Sequence, residues 1–204
     1  MNEYEAKLLL KKYGISVPRG ILVKDIRELD SINLKYPLVA KVVREDIMHK
    51  TEVGGVILGI KNIEELREAV IKLQKKFSSP VLVEEMLTKG VEVIVGVLND
   101  PTFGHSIMFG LGGIFTEIFR DVTFRVIPIS RRDAESMLKD IRGRKILEGY
   151  RGLKVNREKL VELLLSVSRL IEENPHIEGM DLNPVLAGEN DCVVLDAKVV
   201  GKNL

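Results

Sequence analysis

A chain of 204 residues with 45% hydrophobic content has enough apolar mass for one large domain or two small lobes. A formal net charge of +1 gives no electrostatic footprint for nucleic acid or an anionic membrane. The single cysteine, Cys192, excludes an intrachain disulfide and suits a reducing cytoplasm.

The N-terminus, Met1-Asn2-Glu3-Tyr4-Glu5, lacks the shape of a signal peptide, and no apolar run is long enough to span a bilayer. Ala6, Leu9, Leu10 and Tyr13 fall on one helical face, which Gly14 ends. The chain before Pro18 is then extended, because a residue preceding proline avoids the helical region. Ile21-Leu22-Val23 reads as a strand and residues 25–33 as a short polar helix. A second strand, residues 38–43, carries Lys41 in its apolar centre. The polar loop His49-Lys50-Thr51-Glu52-Val53-Gly54-Gly55 follows, and Val56–Ile60 is the strand that leaves it. Asn62 opens the next helix, with Glu65 in capping-box position and Ile63, Leu66, Val70, Leu73 and Phe77 as its stripe. Val81-Leu82-Val83 closes a compact α+β lobe.

The second half is β-rich at residues 91–98, turns at Asn99-Asp100-Pro101, and returns through a strand at residues 105–109. After Gly110-Leu111-Gly112-Gly113, strands are expected over residues 114–119 and 123–129. Ser130 caps a helix to about Ile141, a short helix follows over residues 144–150, and Asn156 caps the longest helix. Two strands, residues 177–182 and 193–199, finish the chain. The basic cluster Arg142-Gly143-Arg144-Lys145 lies between Asp140 and Glu148 and reads as a solvated face. Charged residues at 30% with Gln74 as the only glutamine lean towards heat adaptation.

Several polar groups stand where a core strand prefers apolar ones. Lys41 either reaches past the strand edge into water or clamps phosphates. The loop from His49 to Gly55 offers lysine charge and glycines that allow close approach of backbone N–H groups to an anion. Glu84 and Glu92 are either exposed strand-end carboxylates or contacts to a purine nucleoside, and Gly112-Gly113 is either a hairpin turn or a second phosphate approach. Asp181 and Asn183, two apart on a strand, share one face. With Asp196 on the next strand they form an oxygen set of the kind that holds Mg²⁺, unless they serve turn hydrogen bonds before Pro184. His105 and His176 read as structural or exposed. His49, inside the loop, is either a nucleophile for phosphoryl transfer or a hydrogen-bond donor to phosphate.

Five stretches carry a family resemblance: Tyr13-Gly14-Ile15-Ser16-Val17-Pro18, Lys41, His49-Lys50-Thr51-Glu52-Val53-Gly54-Gly55-Val56, Gly112-Gly113-Ile114-Phe115-Thr116-Glu117 and Gly179-Met180-Asp181-Leu182-Asn183-Pro184. Over essentially the whole chain they resemble the β subunit of ADP-forming acetate–CoA ligases, an α/β (α+β) ATP-grasp fold with nucleotide between two lobes. The implied division is an N-terminal segment 1–19, a small lobe 20–87 and a larger lobe 88–204. Lys41, Lys50, Thr51, Gly54 and Gly55 would then meet the phosphates of ATP or ADP, with Gly112 and Gly113 as the second glycine approach. Glu84 and the backbone at Leu87 would meet adenine, and Glu92 the ribose. By likeness to the succinyl-CoA synthetase β subunit, Asn183 and Asp196 would ligate Mg²⁺, and Asp181 would steady a phosphohistidine. His49 would carry a phosphoryl group between an α subunit and the nucleotide. The chain has no Gly-x-Gly-x-x-Gly after a strand, so CoA and carboxylate sites fall to that partner, in an expected α2β2 heterotetramer. Two alternatives stand beside this: a non-catalytic nucleotide-sensing module, and a β-type subunit of another acid–CoA ligase. A carboxylate–amine ligase is a third, and it would not need His49.

Overall fold

The computed structural model describes residues 1–47, 50–113, 120–149 and 152–202. The chain divides into two compact units: Pro18–Leu87 with Asn2–Tyr4 in a small unit, and Glu5–Val17 and Thr88–Leu204 with Met1 in a large one.

The small unit is built on four antiparallel strands, β1 (Gly20–Val23), β2 (Leu38–Val42), β3 (Val56–Ile60) and β4 (Val81–Glu85), in the order β1-β4-β2-β3. The order places β2 and β4 inside the sheet and leaves β3 at its edge, where Leu58 is exposed. Helix α2 (Ile63–Phe77) covers one face with Leu66, Ala69, Val70 and Leu73. Its start is fixed by Asn62, whose side chain accepts from the Glu65 N–H, and its end by Ser78 in the left-handed region. Each of the fully buried Leu66, Val70 and Leu73 side chains contributes about 1.5–3 kcal/mol relative to exposure. The polar helix expected over residues 25–33 is a 3-10 helix, Ile26–Ser31, closed by a capping box between Asp25 and Glu28.

In the large unit, β5 (Val91–Asp100), β6 (Gly104–Leu111), β7 (Val122–Val126), β8 (Ile177–Ala187), β9 (Cys192–Val194) and β10 (Ala197–Gly201) form one antiparallel sheet. Its order is β10-β8-β5-β6-β7, with β9 also paired to β8. Helices α3 (Arg131–Asp140), α4 (Arg144–Leu147) and α5 (Arg157–Glu173) contribute to the same core as the sheet. Val91, Val93, Val95 and Val97 point into that core, so the residues alternating with them face the other way. Ser130 and Asp133 form a capping box at α3, and Asn156 caps α5.

Three boundaries differ from expectation for local reasons. Strand β5 continues through Asp100, whose carboxylate then accepts the N–H groups of Thr102 (2.8 Å) and Phe103 (3.0 Å) and so forms the turn one step later. The final strand is two strands, β9 and β10, separated by Leu195-Asp196. The break falls opposite Asn183-Pro184, where proline brings no N–H to the ladder. Strand β7 ends at Val126, ahead of Pro128. The strand expected over 114–119 lies outside the described residues, as does Tyr150 at the end of the short helix. Among the described residues, no helix is long and apolar enough to cross a membrane.

Candidate functional site

In the small unit the site begins with Lys41 on interior strand β2. Only 8% of it is exposed, so it does not reach past the sheet into water. Its Nζ lies 2.9 Å from Glu84 Oε2 on neighbouring β4 and 3.0 Å from Glu3 Oε1. The other Glu3 oxygen accepts from Lys50 Nζ. Both carboxylates are themselves buried. One carboxylate therefore joins two lysines that the family resemblance would set against phosphate, and Glu84 closes the chain of charges. Such a group is retained in an apolar interior only when its charges are paired.

The Lys50–Gly55 segment is a tight turn. The Gly55 N–H donates to the Lys50 carbonyl (2.6 Å), and the Gly54 N–H to the Thr51 carbonyl (3.1 Å). Gly54 has φ +68°, and a Cβ on Gly55 would stand 2.6 Å from Val42 Cγ1. The visible work of these glycines is to close the turn, since both amides are used within it. Thr51 is exposed, and Leu87 ends the small unit with 37% exposure. His49 lies outside the described residues.

In the large unit, Glu92 is exposed on β5, and its backbone carbonyl accepts the Gly112 N–H at 2.7 Å. A Cβ on Gly112 would press on the Glu92 Cβ at 3.0 Å, and Glu92 Oε2 is 3.7 Å from where a Gly113 Cβ would stand. The structure thus brings Glu92, Gly112 and Gly113 together.

Asp181 and Asn183 are both exposed on β8, with Leu182 buried between them. Asp181 lies opposite Lys198 on β10 and Gly96 on β5. Asp196 stands in the link between β9 and β10. That link is tied to β8 by the Asn183 N–H donating to the Asp196 carbonyl (3.1 Å) and the Leu195 N–H donating to the Pro184 carbonyl (3.0 Å). The Asp196 carboxylate also accepts the Ala197 N–H at 2.9 Å. Partial loss of water, then repulsion from Asp196, raise the Asp181 carboxyl above its ordinary range, and Lys198 works against both. Two hard carboxylates that repel each other, with Asn183 two residues along the same strand as Asp181, are oxygen ligands of the type that Mg²⁺ takes. Among the described residues, no group of three or more His, Cys, Asp or Glu side chains is arranged to hold a metal. Asn183 and the phosphates of a nucleotide would supply the remaining oxygens.

Helix α1 (Glu3–Lys12) holds two residues that the apolar pattern does not reveal. Its buried positions are Glu3, Ala6, Lys7 and Leu10, so charges occupy half of an i, i+3, i+4, i+7 stripe. That register, counted with charges included, is the signal that finds them. Asp121 is a third such group. It is buried and accepts the N–H groups of Arg142 and Gly143, each at 2.7 Å, at the head of α4.

Residues 1–200 match the model of the ATP-grasp domain family. The chain is 42% identical to subunit beta of acetate–CoA ligase (ADP-forming) I of Pyrococcus furiosus, covering 97% of this chain and 90% of that one. It is 43% identical to acetate–CoA ligase (ADP-forming) II of Archaeoglobus fulgidus over 97% of this chain, but spans only 30% of that longer protein. Among solved structures it resembles acetyl-coenzyme A synthetase 1 of Ca. Korarchaeum cryptofilum in complex with coenzyme A, Ca-AMPCP and HgCl+. There the TM-score is 0.92 at 39% identity, over 99% of this chain and 93% of that one. The same protein with coenzyme A and Mg-AMPPCP, its phosphohistidine segment pointing towards the nucleotide binding site, matches with a TM-score of 0.86 at 41% identity, over 98% and 92%. The chain belongs to the ATP-grasp domain family, in the group of ADP-forming acetate–CoA ligase β subunits.

Proposed function

We propose that this chain is the nucleotide-binding β subunit of an ADP-forming acyl-CoA synthetase, which converts acetyl-CoA, ADP and phosphate into acetate, ATP and CoA. The observation that carries the reading is the grouping of Asp181, Asn183 and Asp196 where β8 meets the β9–β10 link. The family likeness gives that grouping a task. Asn183 and Asp196 hold Mg²⁺, which when bound neutralises charge on the transferring phosphoryl group. Lys41 and Lys50 set positive charge against the phosphates, the backbone at Leu87 meets the adenine, and Glu92 the ribose. The buried Glu84 holds Lys41 in place rather than meeting the adenine itself.

An α-type partner binds CoA and forms acetyl phosphate with loss of the thiolate. A histidine nitrogen takes the phosphoryl group and releases acetate, and Asp181 steadies the resulting phosphohistidine. His49 serves as a second carrier. A terminal oxygen of ADP then attacks phosphorus, the P–N bond breaks, and the imidazole is regenerated. Covalent carriage keeps the activated group from water. Dividing the work between chains fits a subunit that spans 30% of the longer A. fulgidus relative. The expected assembly is α2β2, in the cytoplasm.

The test is ATP formation by this chain reconstituted with a CoA-binding α-type partner. Turnover is expected only with both chains, and Asp196→Asn should lower it about 100-fold or more, the scale of several kcal/mol of charge stabilisation. ADP binding with no ATP formed would favour the nucleotide-sensing module instead.

A further inference from the structure

Lys7 is 3% exposed, on the buried stripe of α1 between Ala6 and Leu10. Lysine is almost never this buried without a partner, because its ammonium must replace the water it loses. Here Nζ donates to the Leu195 carbonyl at 2.8 Å. Leu195 is the first residue of the link that carries Asp196, and two backbone bonds tie that link to β8. The Leu195 N–H goes to Pro184 and the Asp196 carbonyl accepts from Asn183. The helix thus adds its own bond to the link, at the Leu195 carbonyl.

A carbonyl at a chain bend is ordinarily satisfied by water or by a neighbouring N–H. Burying a cation on a long flexible stem is a costlier solution, and a helix-core position would be better filled by leucine if packing were the only demand. What the ammonium adds is a fixed point one residue before a carboxylate whose position matters. We propose that Lys7 is a positioning residue for Asp196: by fastening the Leu195 carbonyl it fixes the link, so that the Asp196 carboxylate stays near Asp181 and Asn183. The inference rests on the reading of Asp196 as a Mg²⁺ ligand. Groups that orient a metal ligand without touching the metal typically change affinity about 10–100-fold when lost.

The test uses the full chain, with Mn²⁺ as probe in the presence of ADP and free Mn²⁺ read by electron paramagnetic resonance. Lys7→Met keeps most of the stem and removes the ammonium, Lys7→Gln keeps an N–H donor, and Asp196→Asn is the control for the ligand. Lys7→Met is expected to weaken Mn²⁺ binding about tenfold or more. Lys7→Gln should recover part of that loss, with metal-free ADP binding unchanged in both. Wild-type Mn²⁺ affinity in folded Lys7→Met, with Asp196→Asn impaired, would overturn the role of Lys7 alone. An equal loss of metal-free ADP binding would also overturn it, by showing a general structural effect. Wild-type Mn²⁺ affinity in Asp196→Asn would remove the ligand reading, and the Lys7 role with it. Should Lys7→Met not fold, Lys7→Gln decides: unchanged Mn²⁺ affinity there contradicts the proposal.

Discussion

Glu3, Lys41, Glu84 and Lys50 place two carboxylates and two ammonium groups in one chain of contacts within the small unit. Removing one member leaves the others short of a counter-charge in a place with little water. Lys41→Met is therefore expected to destabilise the fold by about 3–5 kcal/mol, measured by urea unfolding. The double substitution Lys41→Met with Glu84→Gln should recover part of that loss. A Lys41→Met protein as stable as wild type would show that the pairs contribute little. Cys192 gives a pH prediction. Burial first, then nearby Asp191, push its thiol up to about 12. Its raised value favours the neutral thiol in the fold, so its contribution to stability is complete below the unfolded cysteine value. That contribution fades as pH climbs from there towards about 12. At neutral pH the folded protein should resist iodoacetamide and react only after unfolding, which mass spectrometry checks.

Lys41 was legible at this scale because a lysine inside an apolar strand breaks its pattern. Glu3 and Lys7 were not, because charges on a helix near a chain terminus read as solvated. Their burial depends on partners 38 and 188 residues away. The pairing of Asp121 with the head of α4 is hidden in the same way, by a separation of 21 residues from Arg142.

Among the elements, the clearest signals were local. Asn62, Ser130 and Asn156 stand at the starts of their helices, where a side-chain oxygen satisfies an otherwise unpaired N–H. Strand order was not legible, because inserting β4 between β1 and β2 is a long-range pairing that leaves no trace in either strand's pattern. Nor was the split between β9 and β10. The run 193–199 has apolar residues on both sides of Asp196 and passes for one strand, and the break falls opposite Pro184 on its neighbour. The turn from Lys50 to Gly55 offers the test at this scale. In Gly55→Ala the new methyl would meet the Val42 side chain and the Lys50 carbonyl. The turn must shift, at a cost of about 1–3 kcal/mol. Thermal unfolding should show that loss, with weaker ADP binding. Unchanged ADP affinity would detach the turn from the nucleotide.

At the scale of the molecule, the ATP-grasp family assignment rests on a likeness covering nearly the whole chain, and the motifs that carried it lie in both units. The small unit supplies paired lysines on a strand and a turn. The large unit supplies carboxylates and an asparagine where a strand meets a link. The function proposed above makes His49 the phosphoryl carrier. The most direct test supplies γ-labelled ATP and Mg²⁺ to the assembled enzyme, wild type and His49→Ala, and follows acid-labile, base-stable label on this chain alongside CoA-dependent turnover. Label is expected on wild type and not on His49→Ala, with turnover lost in the variant. Full label and full turnover in His49→Ala would contradict the carrier role.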